Sequence, residues 1–370
     1  MGIGMGPESN PQNIGPTALD SMYRALGIDA EWCLRADRNI AWWPHTYRQS
    51  LIADPPYKDD AGTTRTPITC STEALQAMPE SPALYEMLSL INDYASLSSV
   101  VFDPATREIR CSSRVYVQSA DSWLVTTLQA AAGIQLARVA NLGPRWVELG
   151  GRLAESAHPE SGLRANPDDL VNGAHNLFAR DGHVDSPFSG LLPGIDAHGD
   201  HQWSTLNCSA NRLVAEVPFR DLVPMSALAR NEPAATKAVL QVTTDEKHAE
   251  LGYGLAGQLE LPLPGDAATG HMMANTCNLL ESQGKVVLTQ FLGAWNFKRT
   301  LGFRFFIPAL IGRNHDAPWR AQLIHTFLEY LVHRAANAYL ILETARIRVH
   351  RRHPELSDLE YGVRITRDPS

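Results

Sequence analysis

The chain has 370 residues, 44% of them hydrophobic and 19% charged, with a formal net charge of -8, which suits two globular domains and excludes wholesale disorder or a fibrous architecture. Affinity for nucleic acid rests on clustered Lys and Arg against phosphates, and a pI near 5.9 argues against it. A bilayer-spanning helix needs roughly 18 or more consecutive apolar residues, and no stretch supplies them.

Residues 1–16 are rich in Gly, Pro, Asn and Ser, with neither a basic start nor an apolar run, so a flexible N-terminus without a secretory signal, and a cytoplasmic location, are expected. The five cysteines (Cys33, Cys70, Cys111, Cys208, Cys277) are odd in number and widely spaced. They read as core thiols of a reducing compartment, since a zinc site would want close C-x-x-C pairs.

A first module is expected over residues 17–142. Thr17 to Leu26 carries apolar residues at helical spacing behind Pro16, which suits a first turn. Ala30 to Leu34 and Ile40 to Trp43 flank the turn formers Ala36-Asp37-Arg38-Asn39, a hairpin signal. Asp54 to Pro67 is a polar loop, and Ile68 to Leu75 resumes as strand. From Pro82 to Leu97, the positions Leu84, Met87, Leu88, Ile91 and Ala95 mark one face of an amphipathic helix. Val100 to Phe102 and Ile109 to Val117 form a second hairpin about Asp103-Pro104-Ala105-Thr106. Asp121-Ser122-Trp123 then caps a closing helix to about Ala140.

A linker over 143–165 leads to a second module over 166–345. Pro167-Asp168-Asp169-Leu170 opens a helix to about Arg180. Trp203 to Cys208 pairs with Leu213 to Phe219, and Ala238 to Thr243 with Leu255 to Leu263 supply more strand. Pro264-Gly265-Asp266 starts a helix ending near Gln283-Gly284, Val286 to Phe291 and Phe297 to Pro308 make a hairpin across Gly293-Ala294-Trp295-Asn296, and Asp316 opens a long last helix with Ile324, Phe327, Leu331 and Ala335 on one face. Residues 346–370 form a basic tail whose Arg346, Arg348, His350, Arg351, Arg352 and His353 complement a helix end. Ile91-Asn92 parallels Cys277-Asn278, Val100-Val101 parallels Val286-Val287 at the same offset, and Trp123 parallels Trp319. The repeated order reads as an internal duplication.

Two segments, Leu90-Ile91-Asn92 followed by the return SVVFDPATREIRCSSRVYV and the matching Thr276-Cys277-Asn278, carry a further likeness. The pattern resembles the YbjN-like, type III secretion chaperone-like family. The resemblance implies an α+β fold of two tandem modules, each an antiparallel sheet packed against helices. It implies a non-enzymatic, chaperone-like or regulatory protein that holds a segment of another protein, with no catalytic, cofactor or metal residues. Members are usually single modules that pair as homodimers, so two in one chain imply an intramolecular pseudo-dimer, as a monomer or a homodimer. Antiparallel sheets can be half exposed, and an exposed edge or groove accepts an extended segment. Trp42, Trp43, Trp295 and Phe297, at strand ends or turns, are the candidate partner-binding aromatics.

One string supports a rival. Asp196-Ala197-His198-Gly199-Asp200-His201 approaches the H-x-H-x-D-H signature of metallo-β-lactamase-like hydrolases, with Asp196 where the first His belongs. Such ligands suit Zn or Mn and would activate water, so a metal-dependent hydrolase using Asp196, His198, Asp200 and His201 is the alternative. The flanking sequence lacks that fold's strands. Gly252-Tyr253-Gly254-Leu255-Ala256-Gly257 matches G-x-G-x-x-G by letter, but Gln258 to Pro262 continue as strand where a dinucleotide site needs a helix, so a bent strand is expected. His325 and His333, eight apart on the last helix, lack the spacing of a metal pair and read as packing or exposed residues.

Overall fold

The computed structural model describes residues 11–59, 61–173, 185–196, 203–220, 235–264, 266–313 and 315–353. The chain is α+β, with two antiparallel sheets and helices. In the first half the elements are α1 (Pro11–Ala25), β1 (Cys33–Ala36), β2 (Asn39–Trp42), β3 (Gln49–Ala53), β4 (Tyr57–Lys58), β5 (Thr64–Gln76), α2 (Pro82–Asn92), β6 (Ser99–Asp103), β7 (Glu108–Val117), α3 (Trp123–Val147) and β8 (Arg152–Leu153). In the second they are α4 (Leu192–Asp196), β9 (Ser204–Cys208), β10 (Arg212–Arg220), β11 (Ala235–His248), β12 (Gly252–Pro264), α5 (Ala267–Ser282), β13 (Ala294–Phe297), β14 (Thr300–Pro308), α6 (Ala309–Arg313) and α7 (Ala317–Arg352).

The strand orders are β1-β2-β3-β5-β7-β6 and β9-β10-β11-β12-β14-β13, with the short β4 and β8 added on β5. Both paths lay four strands side by side, insert a helix, and return with a hairpin whose second strand docks on the fourth. Polar N-caps start the inserted and closing helices: Ser81, Ser122, Asp266 and Asp316 accept from Leu84, Leu124, Thr269 and Trp319 N–H, which satisfies a donor that the helix leaves orphaned.

Strand alternation selects the buried face. In β3 the buried residues are Gln49, Leu51 and Ala53, which pair with Thr72, Cys70 and Ile68 of β5, and Ile68 in turn pairs with Val115 of β7 under α1 and α3. In the second sheet Leu240, Leu259, Phe303 and Phe305 face Phe327 and Leu331 of α7 within the same core.

Several expectations need correction. Pro16 lies inside α1, not in its first turn. Helix α3 runs on to Val147 and β8 pairs with β5, so residues 143–147 and 152–153 of the expected linker belong to elements of the first half. Asp169 to Gly173 begin a helix as expected, and the rest of the expected span to Arg180 lies outside the described residues. Residues 286–291 form no strand; the strand is Ala294–Phe297 itself, and the chain turns at Lys298-Arg299. The last helix continues through the first part of the basic tail to Arg352. The Gly252 to Gly257 string lies in β12, as its strand-like continuation suggests.

Candidate functional site

The halves meet through helices α2 and α5, and the contacts come in matched pairs. In the first half the Asn92 amide donates to Val100 O and accepts from Val100 N, both at 2.8 Å. In the second, Asn278 donates to Trp295 O at 2.9 Å and accepts from Trp295 N at 2.8 Å. One helical turn earlier each helix reaches the opposite half. Ser89 Oγ donates to Phe297 O at 3.0 Å and accepts from Phe297 N at 2.6 Å. Asn275 makes the same two bonds, both 3.0 Å, to Phe102.

The strands repeat this exchange. Val100 pairs with Cys111 and Trp295 with Phe303, and four residues before each, Ser96 and Phe291 cross to the other sheet. Phe306 N donates to Ser96 O at 3.4 Å and Ser96 Oγ donates to Phe306 O at 2.7 Å. Phe291 and Arg114 exchange two backbone bonds of 2.7 and 3.0 Å. Beyond the strands, Lys298 pairs with Asp93 at 2.6 Å and Gln283 donates to Asp103 at 3.2 Å. Each of these cross-half contacts thus has a counterpart running the other way. They cover the inner edges β6 and β13, whose backbone groups would otherwise invite association.

The four candidate aromatics lie inside this architecture, and the expectation of partial exposure is corrected: none is more than 4% exposed. Trp42 Nε1 donates to Asp29 at 2.9 Å, and Trp43 Nε1 donates to Ser156 while its ring meets His158 edge-on at 4.9 Å. Trp295 Nε1 donates to Glu281 at 2.6 Å. Phe297 packs so closely on α5 that a Cβ on Gly270 would come within 2.4 Å of its ring. A strand end signals surface only when nothing packs on it. Here β13 ends within the seam between halves, Trp43 is covered by the segment that follows α3, and Trp42 is held against Asp29.

Sequence reasoning missed the polar residues of the interior. Glu281 and Arg334 form a buried ion pair at 2.5 Å, and the guanidinium also donates to Gln290 O and lies 3.8 Å from the Phe303 ring centre. His248 Nε2 contacts Tyr94 O at 3.0 Å across the seam, its Nδ1 accepts from Glu250 N, and its ring lies on Phe306. Because Nδ1 accepts, Nε2 carries the proton and the ring is neutral. Arg138 donates to the same Tyr94 carbonyl at 2.9 Å. An Arg inside an apolar helical stripe was the readable signal for Arg334; Ser89, Asn275 and His248 carried none.

The five cysteines are free thiols. Burial pushes Cys70 and Cys111 up, the latter to about 12, which leaves no thiolate near neutrality. Of the metal string, Asp196 ends α4, while His198, Asp200 and His201 lie outside the described residues. Among the described residues no group of three or more His, Cys, Asp or Glu could hold a metal ion, and no helix is long and apolar enough to cross a membrane.

At the outer end of the first sheet, β1 has, among the described residues, a hydrogen-bonded neighbour only in β2. Its side chains are largely exposed, Leu34 among them at 40%. Comparison of the chain with protein-family models, curated proteins and solved structures finds no match.

Proposed function

We propose that this chain is a tandem pair of chaperone-like modules of the YbjN-like, type III secretion chaperone-like kind, joined as an intramolecular pseudo-dimer that holds a segment of another protein. The observation that carries the reading is the reciprocity at the seam. Asn92 and Asn278 bind their own edge strands, and Ser89 and Asn275 bind each other's. Two modules that bury their inner edges against one another have no need of a second chain to complete the interface. Their outer edges remain for other work.

Strand β1 supports segment binding physically. An edge strand offers a row of main-chain donors and acceptors, and an extended segment gains affinity from them and specificity from side-chain contacts. Leu34 on that edge is the apolar anchor. The test is a photoreactive residue at position 34 of the full chain in its source cell, with the same residue at Leu340 on α7 as control. One discrete protein adduct at 34 and none at 340 supports the reading, and equal or no labelling at both positions rejects it.

A further inference from the structure

The matched bonds of Asn92 with Asn278 and of Ser89 with Asn275 place α2 and α5 in residue-by-residue correspondence: Met87 matches Met273, Leu90 matches Thr276, Ile91 matches Cys277 and Tyr94 matches Leu280. The outer faces of the two helices differ in cover. On α5, Met273, Cys277 and Leu280 are buried, and α7 packs along the helix. On α2, Leu90 is 50% exposed with Met87 and Ile91 half-buried beside it, and Tyr94, in the turn just past the helix, is 58% exposed. Met87, Leu90 and Ile91 follow the i, i+3, i+4 spacing by which one helix packs on another, and Tyr94 extends this stripe into the turn that closes the helix.

We infer that this face of α2 docks one amphipathic helix of a partner protein, apolar on one side and basic along its flanks. The inference rests on the reading of the chain as a protein-binding pair of modules and adds a second surface to it. The internal precedent is α7 on α5. The stripe is continuous with the seam, since Ser89 on the same helix bonds Phe297 and the Tyr94 carbonyl meets His248 Nε2, both of the other half. Charge sets the flanks. Glu86 on α2 and Glu250, whose N–H supports His248 beneath Tyr94, are exposed, while Lys298 is already held by Asp93. Size argues for a single helix over a second copy, because a stable protein interface engages about 20–30 residues a side and the stripe offers four.

The experiment uses fluorescein-labelled designed peptides of about five helical turns against the full chain: a Leu-faced helix flanked by Lys, the same helix flanked by Glu, and the Lys form broken by two central prolines. Saturable binding of the first is expected, at least tenfold weaker for the other two and at least tenfold weaker on a Leu90→Glu, Tyr94→Glu double variant. Both positions are exposed, so circular dichroism and thermal melting should confirm that the double variant is folded. Binding that is indifferent to these substitutions, or no binding, overturns the inference. So does a wild-type dimer that the double variant dissociates, since a second copy would then occupy the stripe. Leu34→Glu, which reports on the β1 edge, should leave peptide binding unchanged, so failure here and failure of the strand-edge reading are separately visible.

Discussion

Asn92 and Asn278 hold the same position in the two halves: each clamps the N–H and the C=O of one edge-strand residue, Val100 or Trp295, with the two ends of one side-chain amide. Both backbone groups are buried and would otherwise lack partners, so removing the amide costs their desolvation, about 1–3 kcal/mol each. Asn92→Ala and Asn278→Ala should each destabilise the chain by about 2–4 kcal/mol, with a single unfolding transition. Urea denaturation decides it, and two transitions, one moved and one unmoved, would show that the halves unfold independently.

Two glycines of β12 carry backbone where a side chain would collide. A Cβ on Gly254 would lie 2.2 Å from Ile307 O, and one on Gly257 would lie 2.3 Å from the Phe305 ring and 3.1 Å from Leu331. Overpacking of this kind costs about 1–3 kcal/mol when side chains can yield. Gly257→Ala should fall in that range, while Gly254→Ala, facing a carbonyl of the paired strand β14, should cost more. Equal denaturation midpoints for the two variants would contradict this ordering.

Local pattern was legible wherever the decisive contacts are local. The α2 face from Leu84 to Ile91, the β6–β7 hairpin turning at Asp103 to Arg107, and the strand reading of Gly252 to Gly257 all follow from periodicity and turn chemistry within a few residues, although α2 ends at Asn92, short of the expected Leu97. The hairpin of the second half was not legible. Val286 to Phe291 has strand composition, yet Phe291 bonds Arg114 of the other half, a contact that no local window contains. Val100 follows Asn92 by 8 positions and Trp295 follows Asn278 by 17, so matching the two halves at a constant offset paired Val100 with Val286 instead of Trp295. The same loss of context made Trp295 and Phe297 look like turn aromatics when they are core. Ser89 and Asn275 read as ordinary helix polars because their partners are 208 and 173 residues away.

His248 gives the seam a dependence on pH. Burial holds its pKa below the ordinary value, with Arg138 and Arg304 acting in the same direction and the Tyr94 carbonyl and Glu250 opposing them; Arg304 is itself paired with Glu246. A second proton would also have to displace the Glu250 N–H from Nδ1. The unfolded chain takes up the proton near pH 6.5 and the folded chain only at lower pH, so the unfolded state binds more protons in between. Stability should therefore fall as pH drops below about 6.5, until the folded pKa is passed. His271 is lowered too, also by burial, and contributes with the same sign. His248→Gln should flatten the decline of the urea midpoint between about pH 7 and 5 more than His271→Gln does. A decline of unchanged slope in His248→Gln would show that this ring does not control it.

The Glu281–Arg334 pair is the most consequential asymmetry between the halves, because Ala95 stands where Glu281 does and Arg138 donates to a carbonyl instead. Both side chains of the pair are essentially inaccessible. Burial raises the Glu281 carboxyl above its usual range, although Arg334 and the Trp295 N–H draw it down. Burial likewise opposes the charge on Arg334, and Glu281 with Tyr330 more than offsets it. Such a pair is held together chiefly by the cost of leaving either charge alone. Arg334→Met should therefore cost about 3–5 kcal/mol, and Glu281→Leu a similar amount, since it strands the guanidinium and the Trp295 N–H together. The double variant Glu281→Leu, Arg334→Met removes both charges and leaves an apolar contact of similar volume, so it should recover most of that loss. A double-mutant cycle on urea stability measures the coupling directly. If the double variant is as unstable as the sum of the singles, the two charges do not depend on one another, and Arg334 owes its place to Gln290 O and the aromatic rings around it.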